Sequence, residues 1–326
     1  MKFGRRRFLH LAAGAVALPA VSRLARAQAY PSRLVRLLVG FPPGGGADAA
    51  ARIVANRLSE IWDQTVVVEN RSGAGGNIAV DAAAHAPADG YAMVLSIVPP
   101  ALYGLLFGAL GYDPMADLAP VSLIGVYPCV LVVSNASPIM STREYVDFAK
   151  ANPGKLTYAS PGVGTTGHLS GELFKRMAGI DITHVPYRGV AAGAMTDLLT
   201  GRVDSMFNTT GSLLKSVRSA QVRGLGVSSA KPFETAAELP ALAEVVPGYE
   251  AMWWYGIYVP SKTPPEIVEK LNRDITAMVA EPAMKTRFDP LGIAPASSTP
   301  AQLAARAQAD VELWGPVIKA ANIKAD

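Results

Sequence analysis

The chain has 326 residues, with 30 Lys and Arg against 26 Asp and Glu and a single cysteine, Cys129. Six cations (Lys2, Arg5, Arg6, Arg7, Arg23, Arg26) fall within residues 1–27, which hold no acid, so the other 24 face 26 acids and the net charge of +4 becomes −2. This excludes a phosphate-neutralising nucleic-acid binder, an internal disulfide or a thiolate zinc cluster, and, with 50% apolar residues, a disordered chain.

The leader comes first. Arg5-Arg6-Arg7-Phe8-Leu9-His10, the apolar run Leu11 to Val21 and Ala25-Arg26-Ala27 follow the plan of a secretory signal peptide. The run is shorter than the roughly 18 residues that span a bilayer. The paired arginines before Phe8-Leu9 are a twin-arginine pattern, with an ordinary Sec leader as the alternative. Cleavage is expected after Ala27, with Ala29 the competing site, and the mature protein is expected to be soluble and exported. About 300 residues remain, more than one typical core, which predicts two domains.

Along the mature chain, Leu34–Phe41 reads as a buried strand and Pro42–Gly46 as a loop. Asp48 is placed as the N-cap of a helix whose Ala50, Ile53, Val54, Leu58 and Ile61 recur at three- and four-residue spacing. Val66–Val68 is a strand, Arg71–Asn77 a second glycine loop, Ile78–His85 a helix and Tyr91–Ile97 a third strand. The alternation predicts an α/β domain with a mainly parallel sheet. The pattern then repeats. Val121–Ser134 is a long apolar strand suited to passing between domains, and Ser141 to Glu144 is a capping box. Leu156–Ser160, Thr183–Tyr187 and Val203–Phe207 are strands; a helix marked by Leu169, Leu173 and Met177 and another over Ala191–Leu199 lie between them. Val222–Ser228 and Trp254–Val259 are further strands, and Thr263-Pro264-Pro265-Glu266 is a capping box opening a helix with the stripe Ile267, Leu271, Ile275 and Val279.

Three glycine loops, FPPGGGAD (41–48), SGAGGN (72–77) and SPGVGTTGH (160–168), each follow a strand and open a helix. In open α/β sheets ligands lie beyond the carboxyl ends of the strands, where helix N-termini offer unpaired N–H groups and a positive dipole end suited to anions. Gly162-Val-Gly164-Thr-Thr-Gly167 also matches GxGxxG, with Asp181 19 residues after Gly162. The acid of a dinucleotide fingerprint belongs at the end of the second strand, however, and Asp181 precedes Thr183–Tyr187. No GxSxG, HExxH, GxxxxGK[ST] or CxxC is present, and nothing assembles nucleophile, base and oxyanion hole. His168 opens a helix beside Thr165 and Thr166, where a ligand contact competes with a backbone-bonded structural role. His184 reads as structural, and Trp253-Trp254-Tyr255 as packing rather than a stacking platform. The reading is a binder with no catalytic residues, cofactor or metal.

FPPGGGADAAAR (41–52), VVVENRSGAGGN (66–77), ADGYAMVLS (88–96), NPGKLTYASPGVGTTGHLSGELF (152–174), HVPYRG (184–189) and WYGIYVPSKTP (254–264) carry a resemblance that runs through the mature chain. It is to the solute-binding proteins of the tripartite tricarboxylate transporter, the Bug family. The resemblance implies a type II periplasmic binding protein fold: two α/β lobes joined by crossover strands, with a ligand cleft between them. Lobe I is placed at 28–126 plus 249–326 and lobe II at 127–248. It further implies a periplasmic receptor that takes a small organic carboxylate (a di- or tricarboxylate, an aromatic acid or a relative) to inner-membrane permease subunits, and a monomer. The ligand residues expected on this basis are Phe41, Pro43, Gly44, Gly45, Ala47, Asp48, Asn77, Ser96, Ser160, Gly162, Gly164, Thr165, Thr166, His168 and Asn208. The chain departs from the family where Asn208 replaces a common Asp and where Pro240-Ala241 replaces Pro-Thr. Asn208 is uncharged and both donates and accepts, so if it faces the ligand the exchange disfavours a cationic amine. A sensing subunit docked on a signalling receptor and an exported α/β enzyme are the competing functions.

Overall fold

The computed structural model describes residues 30–188 and 193–325; the expected leader, with its arginine pair and both expected cleavage positions, lies outside them. Strands β1 (Val35–Val39), β2 (Val66–Asn70) and β3 (Ala92–Ser96) pair in parallel, with β1 between the other two. Their crossovers are helices α1 (Gly46–Trp62) and α2 (Asn77–Ala84). Ala50, Val54 and Leu58 of α1 are fully buried, as their spacing requires, while Ile61 at the end of the stripe is 38% exposed. Helix α3 (Pro100–Phe107) has no counterpart among the sequence expectations. Its sequence, PALYGLLF, has no polar face, so no 3.6-residue alternation marks it.

Strand β4 (Leu118–Ser134) organises the molecule. Leu118–Pro128 runs antiparallel to β9 (Met252–Pro260), which also pairs with β3. Cys129–Ser134 instead pairs with β7 (Ser205–Thr209) and β8 (Val222–Val227). One strand therefore belongs to both sheets, changing partners at Pro128/Cys129, and the main strand order is β2-β1-β3-β9-β4-β7-β5-β6. In the second sheet β5 (Thr157–Ser160) lies parallel to β6 (Thr183–Pro186) and β7. Helices α4 (Thr142–Ala151), α5 (Thr166–Ala178), α6 (Met195–Leu199) and α7 (Thr210–Arg218) connect these strands. The strand expected at Val203–Phe207 begins two residues later, and the first residues of the helix expected at Ala191–Leu199 lie outside the described residues. Val130, Val132, Met206, Leu198, Leu213 and Leu239 form the core of this half.

After β9 come α8 (Pro265–Val279), α9 (Pro282–Phe288), β10 (Ala294–Pro295) and α10 (Pro300–Ala320). Ser141 caps α4 as expected, its Oγ accepting from Glu144 N at 3.2 Å while Glu144 accepts from Met140 N. The box expected at Thr263 does not form. The N-cap of α8 is Pro264, and the Thr263 hydroxyl is buried with no partner among the described residues. Two consecutive prolines fix an extended entry that carries Thr263 away from the first turn. At Pro240-Ala241 only half a box survives, Glu244 Oε1 accepting from Ala241 N at 3.2 Å. Trp253 stacks on Trp314 at 4.5 Å and donates to Ser170 Oγ, while Trp254 donates to Asp310. Both tryptophans are packing residues at the passage between the sheets.

Candidate functional site

The first glycine loop turns at Gly44 (φ 84°) and delivers the chain into α1, whose N-cap is Gly45 rather than Asp48. Asp48 sits inside the first turn and holds the loop from behind. Its Oδ2 accepts from Gly44 N and Arg52 Nε and its Oδ1 from Asn70 Nδ2, each at 2.9 Å. Burial pushes this carboxyl up, but the bonds from Arg52, Gly44 and Asn70 hold it below the usual carboxylate range. Asn70 also donates to the Phe41 carbonyl at 2.9 Å, completing the brace.

The third loop is braced differently. Ser160 Oγ donates to Gly162 O at 3.1 Å, accepts from Gly162 N at 3.2 Å and lies 2.7 Å from His184 Nε2. Thr165 Oγ1 donates to Gly162 O at 2.7 Å. Gly164 N donates to His168 Nδ1 at 3.0 Å, which requires that nitrogen to be unprotonated. The imidazoles of His168 and His184 stack at 3.8 Å and 11°. Burial, then Lys175, lowers His168 to about 4; burial, then His168 and Lys175, lowers His184 to about 3. The loop thus rests on two neutral imidazoles. Gly167 allows α5 to lie against β7, since a Cβ there would collide with the Phe207 carbonyl.

Between the two loops lies a cavity of about 250 Å³. Phe41, Pro42, Pro43, Gly44, Gly45, Gly46, Ala47 and Ile97 line one side; Pro161, Thr165, Thr166, Met195, Asn208, Thr209, Ser212 and Ser216 line the other. Three helices of eight or more residues begin here: α1 at Gly46, α5 at Thr166 and α7 at Thr210. Their first-turn N–H groups lack intrahelical acceptors and their positive dipole ends meet at one place. No charged side chain is among the lining residues. Ser212 ties the two sides together, its Oγ accepting from Gly46 N at 3.3 Å and from Thr209 Oγ1 at 3.1 Å. A second cavity of about 670 Å³ adjoins the first through Phe41, Pro42 and Pro161, and is lined by residues 72–76, Gly162, Val163, Arg188 and Lys324.

Of the residues expected to contact ligand, Phe41, Pro43, Gly44, Gly45, Ala47, Thr165, Thr166 and Asn208 line the inner cavity and Gly162 the outer one. Asp48, Asn77, Ser96, Ser160, Gly164 and His168 line neither. Asn77 accepts from Tyr112, Ser96 donates to Val98 O, and Ser160 and His168 support their loop. The sequence reading missed Thr209, at the end of β7, and Ser212 and Ser216, which α7 brings to the site. Its signal was available: Thr209-Thr210 before Leu213, Leu214 and Val217 at helical spacing.

Two α/β sheets sharing β4, with a cavity where helices from both begin, define a type II periplasmic binding protein fold. Residues 50–323 match the sequence model of the tripartite tricarboxylate transporter family receptor, and the chain belongs to that family. It is 37% identical over 320 residues to a UPF0065 protein from a tcbD-tcbE intergenic region of Pseudomonas sp. strain P51, covering 97% of this chain and 94% of that one. Among solved structures, R. palustris Rpa4515 with adipate is 36% identical with a TM-score of 0.85, covering 90% of this chain and 98% of that one. The periplasmic binding protein BugD is 31% identical with a TM-score of 0.83, covering 90% and 100%.

Proposed function

We propose that this protein is a periplasmic receptor that captures a small organic carboxylate and delivers it to the permease subunits of a tripartite tricarboxylate-type transporter. The observation that carries this reading is the convergence of three helix N-termini on one cavity that contains no charged side chain. Such a site takes an anion by main-chain N–H groups and dipoles, without a cation of its own. The adipate found in Rpa4515 supports the ligand class. The leader routes the protein by twin-arginine export, and it acts as a monomer that binds rather than transforms its ligand. Lobe I comprises 28–126 plus 249–326 and lobe II 127–248, hinged where β4 changes partners.

Closure strengthens each hydrogen bond by expelling water. A ligand at 100 times its dissociation constant adds about 2.7 kcal/mol to folding stability. For a domain of this size that amounts to a rise in Tm of several degrees, about 2–4 °C per kcal/mol. A thermal-shift screen of organic acids against their amides and neutral sugars is expected to show shifts with acids. Shifts with sugars and with no acid would refute the reading.

A further inference from the structure

We infer that Asn208, with Ser212, makes the inner cavity a subsite for acceptor groups only, so that the receptor takes acids and rejects their 2-amino counterparts. The inference rests on the carboxylate reading and names the ligand more narrowly. Asn208 stands on β7 and is 1% exposed. Its Oδ1 accepts from Thr209 N at 2.8 Å. That bond settles the orientation of the amide, because the flipped group would set an NH2 against an N–H. Nδ2 is left as the free end, and it has no partner among the described residues. A buried amide donor with no acceptor costs about 1–3 kcal/mol, and Asn208 is among the residues that line this cavity. Ser212 points the same way. Its oxygen already accepts from Gly46 N and Thr209 Oγ1, and its own proton has no protein acceptor among the described residues.

What the cavity lacks matters as much. No carboxylate lines it. The nearby Asp48 is engaged by Gly44, Arg52 and Asn70. An ammonium on the ligand would lose its hydration, meet the NH2 of Asn208 and three positive helix ends, and find no counter-charge. An oxygen acceptor in the same place satisfies Nδ2. Asn208 is thus a specificity residue, holding the ligand through a neutral donor.

The test is titration calorimetry of the mature protein with matched pairs: succinate and aspartate, glutarate and glutamate, adipate and 2-aminoadipate. The wild type is expected to bind the acid of at least one pair at least tenfold more tightly than its amine. Asn208→Asp keeps the acceptor for Thr209 N but places a carboxylate in the cavity. It is expected to weaken the acid at least tenfold and to narrow or reverse the preference within the pair. Its melting curve, matched to wild type, separates this from misfolding. Acid binding by the wild type with no discrimination against the amine overturns the inference, as does a folded Asn208→Asp variant with unchanged affinities. If no acid of the series binds and the amines do, the carboxylate reading falls with it.

Discussion

The stacked imidazoles behind the third glycine loop make the protein's stability fall on mild acidification. The folded state holds His168 at about 4 and His184 at about 3, whereas both titrate near 6.5 once unfolded. Between those values the unfolded chain binds more protons than the folded one, so stability is fully present above the unfolded value and is lost as pH drops. Lowering the pH from 7 to 5 costs about 2 kcal/mol for each group, or about 4 kcal/mol for the pair. In a chain of this size that amounts to a fall in Tm on the order of 10 °C. Denaturant unfolding at intervals of half a pH unit measures it directly. The control is His168→Asn with His184→Gln, in which amide atoms stand in for the ring atoms facing Gly164 and Ser160 but do not titrate. That double variant is expected to lose most of the pH dependence. If it keeps the full wild-type slope, or if the wild type loses under 1 kcal/mol over this range, the imidazoles are not neutral supports and the argument fails.

Four further outcomes follow from particular residues. Ser141→Ala removes a cap that is formed and should cost about 1 kcal/mol, whereas Thr263→Val removes a buried hydroxyl that bonds nothing and should be neutral or stabilising in the same unfolding assay. Replacing Arg5 and Arg6 by Lys should leave precursor in the cytoplasm on fractionation; normal periplasmic levels would favour the Sec route. A bound acid should make the protein more compact in small-angle scattering, by hinging near Val126–Pro128 and Pro247–Met252; equal radii with binding shown independently would count against the hinge.

Where local chemistry decides the structure, the sequence was legible. Alternating apolar runs and glycine loops announced both α/β halves, and Ser141 announced its cap. The glycine loops marked the place of the cavity, because a strand end, a tight turn and a helix start are all local features. Which side chains enter it was less legible. Ser160 and His168 read as ligand groups along the chain, and the packing of β5, β6 and α5 adds bonds that a linear reading does not show, between Ser160 and the Gly162 backbone and from Gly164 N to His168. Helix α7 escaped because it is only nine residues long and the reading assigned no element between the strand Val203–Phe207 and the strand Val222–Ser228. Helix α3 escaped because it is apolar on every side. Asn208 was singled out only by comparison with a family pattern; the bond from Thr209 N that turns its amide is invisible without coordinates.

An organic acid in the cavity at the three helix N-termini can be sought directly. Mass spectrometry of the small molecule released on gentle denaturation of protein purified from its native cells tests this most directly. A carboxylic acid without an amino group, released at close to one per chain, is the expected result. A neutral sugar or a cationic amine released at that ratio would contradict it.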